Sequence, residues 1–264
     1  MSEGAKMSER DNVPQGAVSW LDLWTSDVEG SRSFYSELFG WEAWEPSAEF
    51  GGYWMFARAG QPVAGGMGDM GDTPADNTWK IYVACDDINV SVAAAEALGA
   101  QVFAPVAQVG DLGIQAVLAD ATGATMGLWQ PLSFKGFSTT DEHGAPCWFE
   151  LYARDYHAAV NFYTSVFGLA ANVMMDTDEF RYSTLMVGEH EVAGVFDASS
   201  RLGEGERSHW VVYWQVDDVS AATQRVAQLG GSVIDGPADS PYGSIATVAD
   251  PSGAVFKLRQ APSN

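Results

Sequence analysis

Apolar and polar residues alternate over residues 18–25, placing Leu21 and Leu23 on one face of a half-buried strand and Trp20, Asp22 and Trp24 on the other. The period then lengthens. Phe34, Tyr35, Leu38 and Phe39 recur at helical spacing, Asp27 stands where an N-cap belongs, and Gly40 stands where the helix should end. The helix can then pack on the leucine face. Short strands are expected near residues 41–44, 53–58 and 63–67, separated by Gly51-Gly52 and by Gly60. One unit therefore reads as a strand, a helix and three strands.

The stretch that opens this unit, WLDLWTSDVEGSRSFYSELFGW at 20–41, returns as WFELYARDYHAAVNFYTSVFGL at 148–169, a displacement of 128 residues. The same order also recurs between these copies. A strand over 79–85, a helix capped by Asp86-Asp87 and closed near Gly99, a strand around 101–103, and two strands split by Thr122-Gly123 make a second unit. A third unit spans 147 to about 196, with a hairpin expected around Gly188 and Glu189. A fourth begins near His209, where Trp79/Trp210, Tyr82/Tyr213 and Asp86-Asp87/Asp217-Asp218 match, as do ADATGA (119–124) and ADPSGA (249–254). Paired units give a domain at 16–130 and another at 146–260, joined by a linker at 131–145 that has no periodicity, with a loose lead-in at 1–15.

Composition narrows the classes of partner. With 13 Lys and Arg against 35 Asp and Glu, the formal net charge of −22 repels phosphate backbones and anionic lipid surfaces, so neither nucleic acid nor a membrane is an expected partner. No apolar run approaches the roughly 18 residues of a membrane span, and the polar N-terminus lacks the apolar stretch of a secretory signal. Two cysteines, Cys85 and Cys147, lie in strands of different halves. They make no disulfide framework and suit a reducing cytoplasm, the expected location. Oligomeric state is left open by the sequence.

Four strand-helix-three-strand modules, with FYSELFGW and FYTSVFGL closing the first helices and D-x-x-G-A before the final strands, resemble the vicinal oxygen chelate superfamily. It includes glyoxalase I, extradiol dioxygenases and bleomycin-resistance proteins. More narrowly, the chain is similar to its two-domain members, often labelled hydroxylases or glyoxalases. The resemblance covers 16–259 and implies an α+β fold of four βαβββ modules, each pair curving round a shared cleft. Metal-dependent members place ligands on the first and last strands of a module. Here the first-strand positions fall at Trp20, Lys80, Trp148 and Val211, and the last-strand positions at Gly127, Lys257 and Gly65 or Gly66. None is a good ligand for a divalent cation, which needs converging N/O donors. No metal or other cofactor is expected. A relocated site could draw on Asp22, Glu150 and His209, since His143, His157 and His190 fall in a linker, a helix start and a hairpin turn.

Period-two counting sends Trp20, Asp22, Trp24, Lys80, Tyr82 and Ala84 into the first cleft. The second receives Trp148, Glu150 and Tyr152, with Val211, Tyr213 and Gln215, and His209 is expected on the same face. Each is an aromatic box with one acid at the floor, suited to a partly polar planar molecule or filled by its own rings. Lys80 is expected to hold Asp22 ionised; Glu150 faces Val211, lacks a cation and is expected to have a raised pKa. Two functions follow. One is metal-independent binding of an organic metabolite or antibiotic-like compound through Trp20, Trp24, Lys80, Tyr82, Trp148, Tyr152, His209, Tyr213 and Gln215. The other is a glyoxalase-like lyase, or a hydroxylase or oxygenase of secondary metabolism, using Asp22 or Glu150 as acid/base. A structural or signalling protein with filled clefts is a third class.

Overall fold

An aspartate caps each helix among the described residues. Asp27, Asp87, Asp155 and Asp218 accept hydrogen bonds from backbone N–H groups of the first turns of α1 (Val28–Phe39), α2 (Ile88–Ala97), α3 (Tyr156–Phe167) and α4 (Val219–Gln228). Gly40 and Gly168, at φ 70° and 69°, end α1 and α3 in the left-handed region. These details come from a computed structural model that describes residues 13–71 and 74–262.

The first module holds β1 (Val18–Trp24), α1, β2 (Glu42–Ala43), β3 (Trp54–Arg58) and β4 (Gln61–Met67). The second holds β5 (Thr78–Ala84), α2, β6 (Gln101–Val109), β7 (Gly113–Ala119) and β8 (Thr125–Pro131). In the third, β9 (Pro146–Ala153) and α3 precede β10 (Ala170–Asp176), β11 (Arg181–Val187) and β12 (His190–Asp197). The fourth holds β13 (His209–Gln215), α4, β14 (Ser232–Ser240), β15 (Gly243–Ala249) and β16 (Val255–Gln260). Two eight-stranded sheets result, ordered β2-β3-β4-β1-β5-β8-β7-β6 and β10-β11-β12-β9-β13-β16-β15-β14. In each, the modules join through an antiparallel pair of first strands, β1 with β5 and β9 with β13. The fold is α+β, four βαβββ modules in two matched domains.

Leu21 and Leu23 are fully buried, and their counterparts Phe149 and Leu151 are buried too. The helix layer lies between the sheets. Tyr35 on α1 meets Trp79 of its own sheet edge-on at 5.2 Å between ring centroids and Phe256 of the other sheet at 5.6 Å. Phe39 and Trp41 close on Trp214 at 5.7 and 5.0 Å. The two recurrent sequence signatures meet across this layer: Tyr35 donates to Asp250 Oδ2 at 3.1 Å, and Tyr163 donates to Asp120 Oδ2 at 2.8 Å. Trp79 donates its indole N–H to the Tyr35 hydroxyl, and Trp210 donates its own to the Tyr163 hydroxyl, each at 3.1 Å. Meanwhile the other oxygen of each aspartate accepts backbone N–H groups of its own turn, from Thr122 and Ala124 in one case and Ser252 and Ala254 in the other. The D-x-x-G-A motif therefore shapes a hairpin and docks the opposite domain.

Several expectations change. Residues 1–12 of the lead-in lie outside the described residues. Val13, though, is buried with Ala17 and Ala84, and Gln15 bonds to Phe167 and Asp86. Ala84 thus packs against this segment and does not reach the first cleft. The segment between β8 and β9 is pinned by Phe137, which is buried and bonds through its N–H to Ser19. The hairpin at Gly188-Glu189 forms, pairing Val187 with His190. Cys85 sits just past β5, and burial pushes its thiol up to about 11 and that of Cys147 to about 12, so neither is poised as a nucleophile. Among the described residues, no helix is long and apolar enough to cross a membrane.

Candidate ligand-binding clefts

Trp20 and Asp22 project from β1 onto the face opposite the leucines. The Trp20 indole donates to Asp22 Oδ1 at 2.9 Å and to the Tyr53 hydroxyl at 2.7 Å, and that hydroxyl donates to the same carboxylate oxygen at 2.7 Å. Tyr82 on β5 adds a second hydroxyl, the third donor to this carboxyl. Gly65 lies beside Asp22 in the parallel β1–β4 ladder, where a Cβ would overlap both the Tyr53 hydroxyl and the carboxylate. A glycine is needed there for the cluster to close. Burial pushes the Asp22 carboxyl up to about 6, while hydrogen bonds from Tyr53, Tyr82 and Trp20 pull it back.

Lys80 does not hold Asp22 ionised. Although the two residues are register partners on β1 and β5, the Lys80 ammonium pairs with Asp76 and lies 5.7 Å over the Trp24 ring. Asp76 is half exposed, so the pair forms at the mouth, where the ammonium keeps part of its hydration and avoids the dry floor. Above Asp22 lies a cavity of about 620 Å³, walled by Trp24, Met55, Phe103, Leu112 and Trp129 among others. Phe134, from the segment after β8, completes it, standing edge-on to Trp20 at 4.8 Å. Gly127 also faces this space, and the Tyr82 ring lies across it where a side chain would otherwise stand.

The second floor repeats the plan with one exchange. Trp148 donates to the Tyr182 hydroxyl at 3.0 Å, Tyr213 donates to Glu150 Oε2 at 2.6 Å, and Gly194 lies beside Glu150 as Gly65 does beside Asp22. Lys257 is paired with Tyr213 in the β13–β16 ladder, the position of Gly127 in the first domain. Its ammonium lies 3.7 Å from Glu150 Oε2 and donates to the hydroxyls of Tyr152 and Tyr213 at 2.6 and 2.8 Å. The expectation that Glu150 lacks a cation is therefore corrected: the charge comes from the last strand of the module, not from Val211 opposite. Burial and the Glu150 carboxylate hold the Tyr213 hydroxyl far above its usual range.

Two predicted residues stand apart from this floor. His209 approaches Glu206 at 3.9 Å and the Arg207 carbonyl at 3.3 Å, with its ring 5.5 Å from that of Tyr152. The Gln215 side chain is buried and donates to the Val216 carbonyl at 3.3 Å. Sequence reasoning missed Tyr53 and Tyr182. A signal existed, because Tyr53 precedes Gly65 and Tyr182 precedes Gly194 by the same twelve positions.

Residues 20–128 match the family model of the glyoxalase-like domain, and residues 147–258 match that of the glyoxalase/bleomycin resistance protein/dioxygenase superfamily. The chain is also 35% identical to "Putative glyoxylase CFP32" of Mycobacterium bovis, over 97% of its own length and 99% of that protein. It belongs to this superfamily. A further superfamily relative, "Anthracycline biosynthesis protein DnrV" of Streptomyces peucetius, is 34% identical over 92% of both chains. Among solved structures, the Mn(II)-bound glyoxalase of Novosphingobium aromaticivorans superposes with a TM-score of 0.65 at 18% identity, covering 94% of this chain and 82% of that one. The 2,3-dioxygenase LapB of Pseudomonas sp. KL28 gives 0.64 at 15%, covering 95% and 94%. These two share the fold.

The superfamily resemblance implies a divalent metal, and the donor sets do not fit one. Among the described residues no three His, Cys, Asp or Glu side chains come together as a possible site. The first floor offers one carboxylate, engaged by an indole and two phenols, and the second carries an ammonium beside its only carboxylate.

Proposed function

We propose that the first domain binds a flat, largely apolar organic molecule without a metal, and that Asp22 meets a hydroxyl or carbonyl on it. The observation that carries this is the cavity of about 620 Å³ set directly over a buried carboxyl that, among the described residues, is paired with no cation. Indole, phenol and thioether side chains suit the faces of a fused-ring compound. The relationship to a protein named for anthracycline biosynthesis makes aromatic polyketide-like molecules the first to try. Calorimetric titration with a panel of planar polycyclic phenols and quinones tests the proposal. Binding is expected for some of them and at least about tenfold weaker binding for Val117→Phe, which would intrude into the cavity. If no compound binds, or if Val117→Phe binds as well as the parent chain, the proposal fails.

A second reading is favoured by the Asp22 carboxyl standing at about 6. A group so placed holds and releases its proton near neutral pH, as a general acid/base must. Asp22 then abstracts a proton from, or returns one to, an acidic C–H or O–H of the bound molecule, with Tyr53 and Tyr82 orienting the carboxyl. Glu150, tied to Lys257, takes no such part. Turnover would collapse in Asp22→Asn, and the parent kcat/KM would bend once near pH 6. Undiminished turnover in Asp22→Asn removes the role.

A further inference from the structure

A second cavity, of about 390 Å³, lies between the domains, where the start of β5 faces the start of β13. Its walls include Asn77 and Gly123 from one domain and Glu206, Arg207, Ser208 and His209 from the other. Asp76, Lys80 and Thr125 line both this cavity and the aromatic one, so the two adjoin along a shared rim. Their chemistry differs. The aromatic cavity offers rings and thioethers, whereas the second is rich in hydrogen-bonding and charged groups.

Most of the acids here are already engaged. Asp76 accepts from Lys80 and from Thr78 at 2.7 Å, and Glu206 accepts from the Gly203 N–H at 2.9 Å. The Asn77 carbonyl oxygen is taken by Ser26. Arg207 differs: its stem runs past Gly123, and among the described residues its guanidinium has no ion-pair partner. The surplus at this cavity is therefore in donors, the Arg207 guanidinium and the Asn77 amide N–H groups. Since the net charge of −22 repels anions at a distance, a local cation of this kind is what an anionic group would need to be held.

We infer that the ligand of the aromatic cleft carries an acceptor-rich arm ending in a carboxylate, which crosses the rim at Lys80 and Thr125 and is met by Arg207 in the cavity between the domains. The inference rests on the proposal that the first cleft binds a flat organic molecule. It assigns the second domain a part in recognition through the start of its fourth module, separate from the Glu150–Lys257 floor.

The test uses the full chain and a matched pair of ligands, one planar polycyclic quinone that binds the cleft and the same quinone bearing a short chain with a terminal carboxylate. The armed ligand should bind the parent protein at least about tenfold tighter, the worth of one charge-assisted contact. Arg207→Ala, at an exposed position, should erase that gain and leave the affinity for the bare quinone unchanged. Raising the salt concentration should narrow the difference between the pair. Binding of the bare quinone with no gain from the arm overturns the inference and leaves the cleft proposal standing. So does an Arg207→Ala variant that weakens both ligands equally. If no member of the planar panel binds the parent protein, so that no such quinone can be chosen, the cleft proposal and the inference fall together.

Discussion

Taking a carboxylate out of water costs free energy, and the two floors offset that cost by different means. Asp22 relies on neutral donors, so its burial appears as a raised pKa. Its carboxyl moves from 3.8 to about 6, and the folded state therefore holds more protons than the unfolded state between those values. The associated stability is fully present below about pH 4 and is lost as pH rises through 6, in total about 3 kcal/mol. Urea unfolding at pH 4, 6 and 8 should show Asp22→Asn without this component, and more stable than the parent chain at pH 8. A variant that loses stability equally at all three values would contradict the shift. Glu150 instead relies on Lys257. Removing that ammonium in Lys257→Met strands the acid and should cost about 3 kcal/mol, most of it recovered in the double variant with Glu150→Gln. The same melts read this out.

At the scale of the element, the parallel ladders β1–β4 and β9–β12 each place a glycine beside the floor acid. Gly65→Ala and Gly194→Ala push the Tyr53 and Tyr182 hydroxyls off their places, and each should lower stability by about 1–3 kcal/mol in thermal unfolding. Gly65→Ala should also weaken any cleft ligand, while Gly194→Ala should not. β1 and α1 were readable from the sequence because each buries one face, and burial writes its period into the residues. β6 was read as three residues and runs to nine. Pro105 interrupts its pattern, and the strand tolerates Pro105 because it is the sheet's edge, with one register shift just before it and another across it. The partner of Glu150 was not readable. Alternation gives the face on which Lys257 lies, but only the strand order sets β16 against β13 and carries its ammonium back to β9. Lys80 misled for the converse reason. Its register beside Asp22 is real, yet a long side chain can leave its register partner for a better-hydrated one.

At the scale of the molecule, the domains are joined by two equivalent buried bonds, Tyr35 to Asp250 and Tyr163 to Asp120. Tyr35→Phe leaves the Asp250 oxygen and the Trp79 indole without that partner, and Tyr163→Phe does the same to Asp120 and Trp210. Each should cost about 1–3 kcal/mol in chemical unfolding, with the domains still melting together. Separate transitions in the parent chain would show that this layer does not couple them. Every bond here takes its tyrosine from one half and its aspartate from the other, while each half owns one of both. Such a surface is self-complementary, the property that defines a twofold homodimer. An amino-terminal half produced alone carries Tyr35 and Asp120, both members of that bond, but not the Phe256 and Trp214 rings on which α1 and Trp41 pack. What keeps unlike halves together in the intact chain is the tether from β8 to β9, which presents each to the other at an effective concentration on the order of millimolar, far above that of any second molecule.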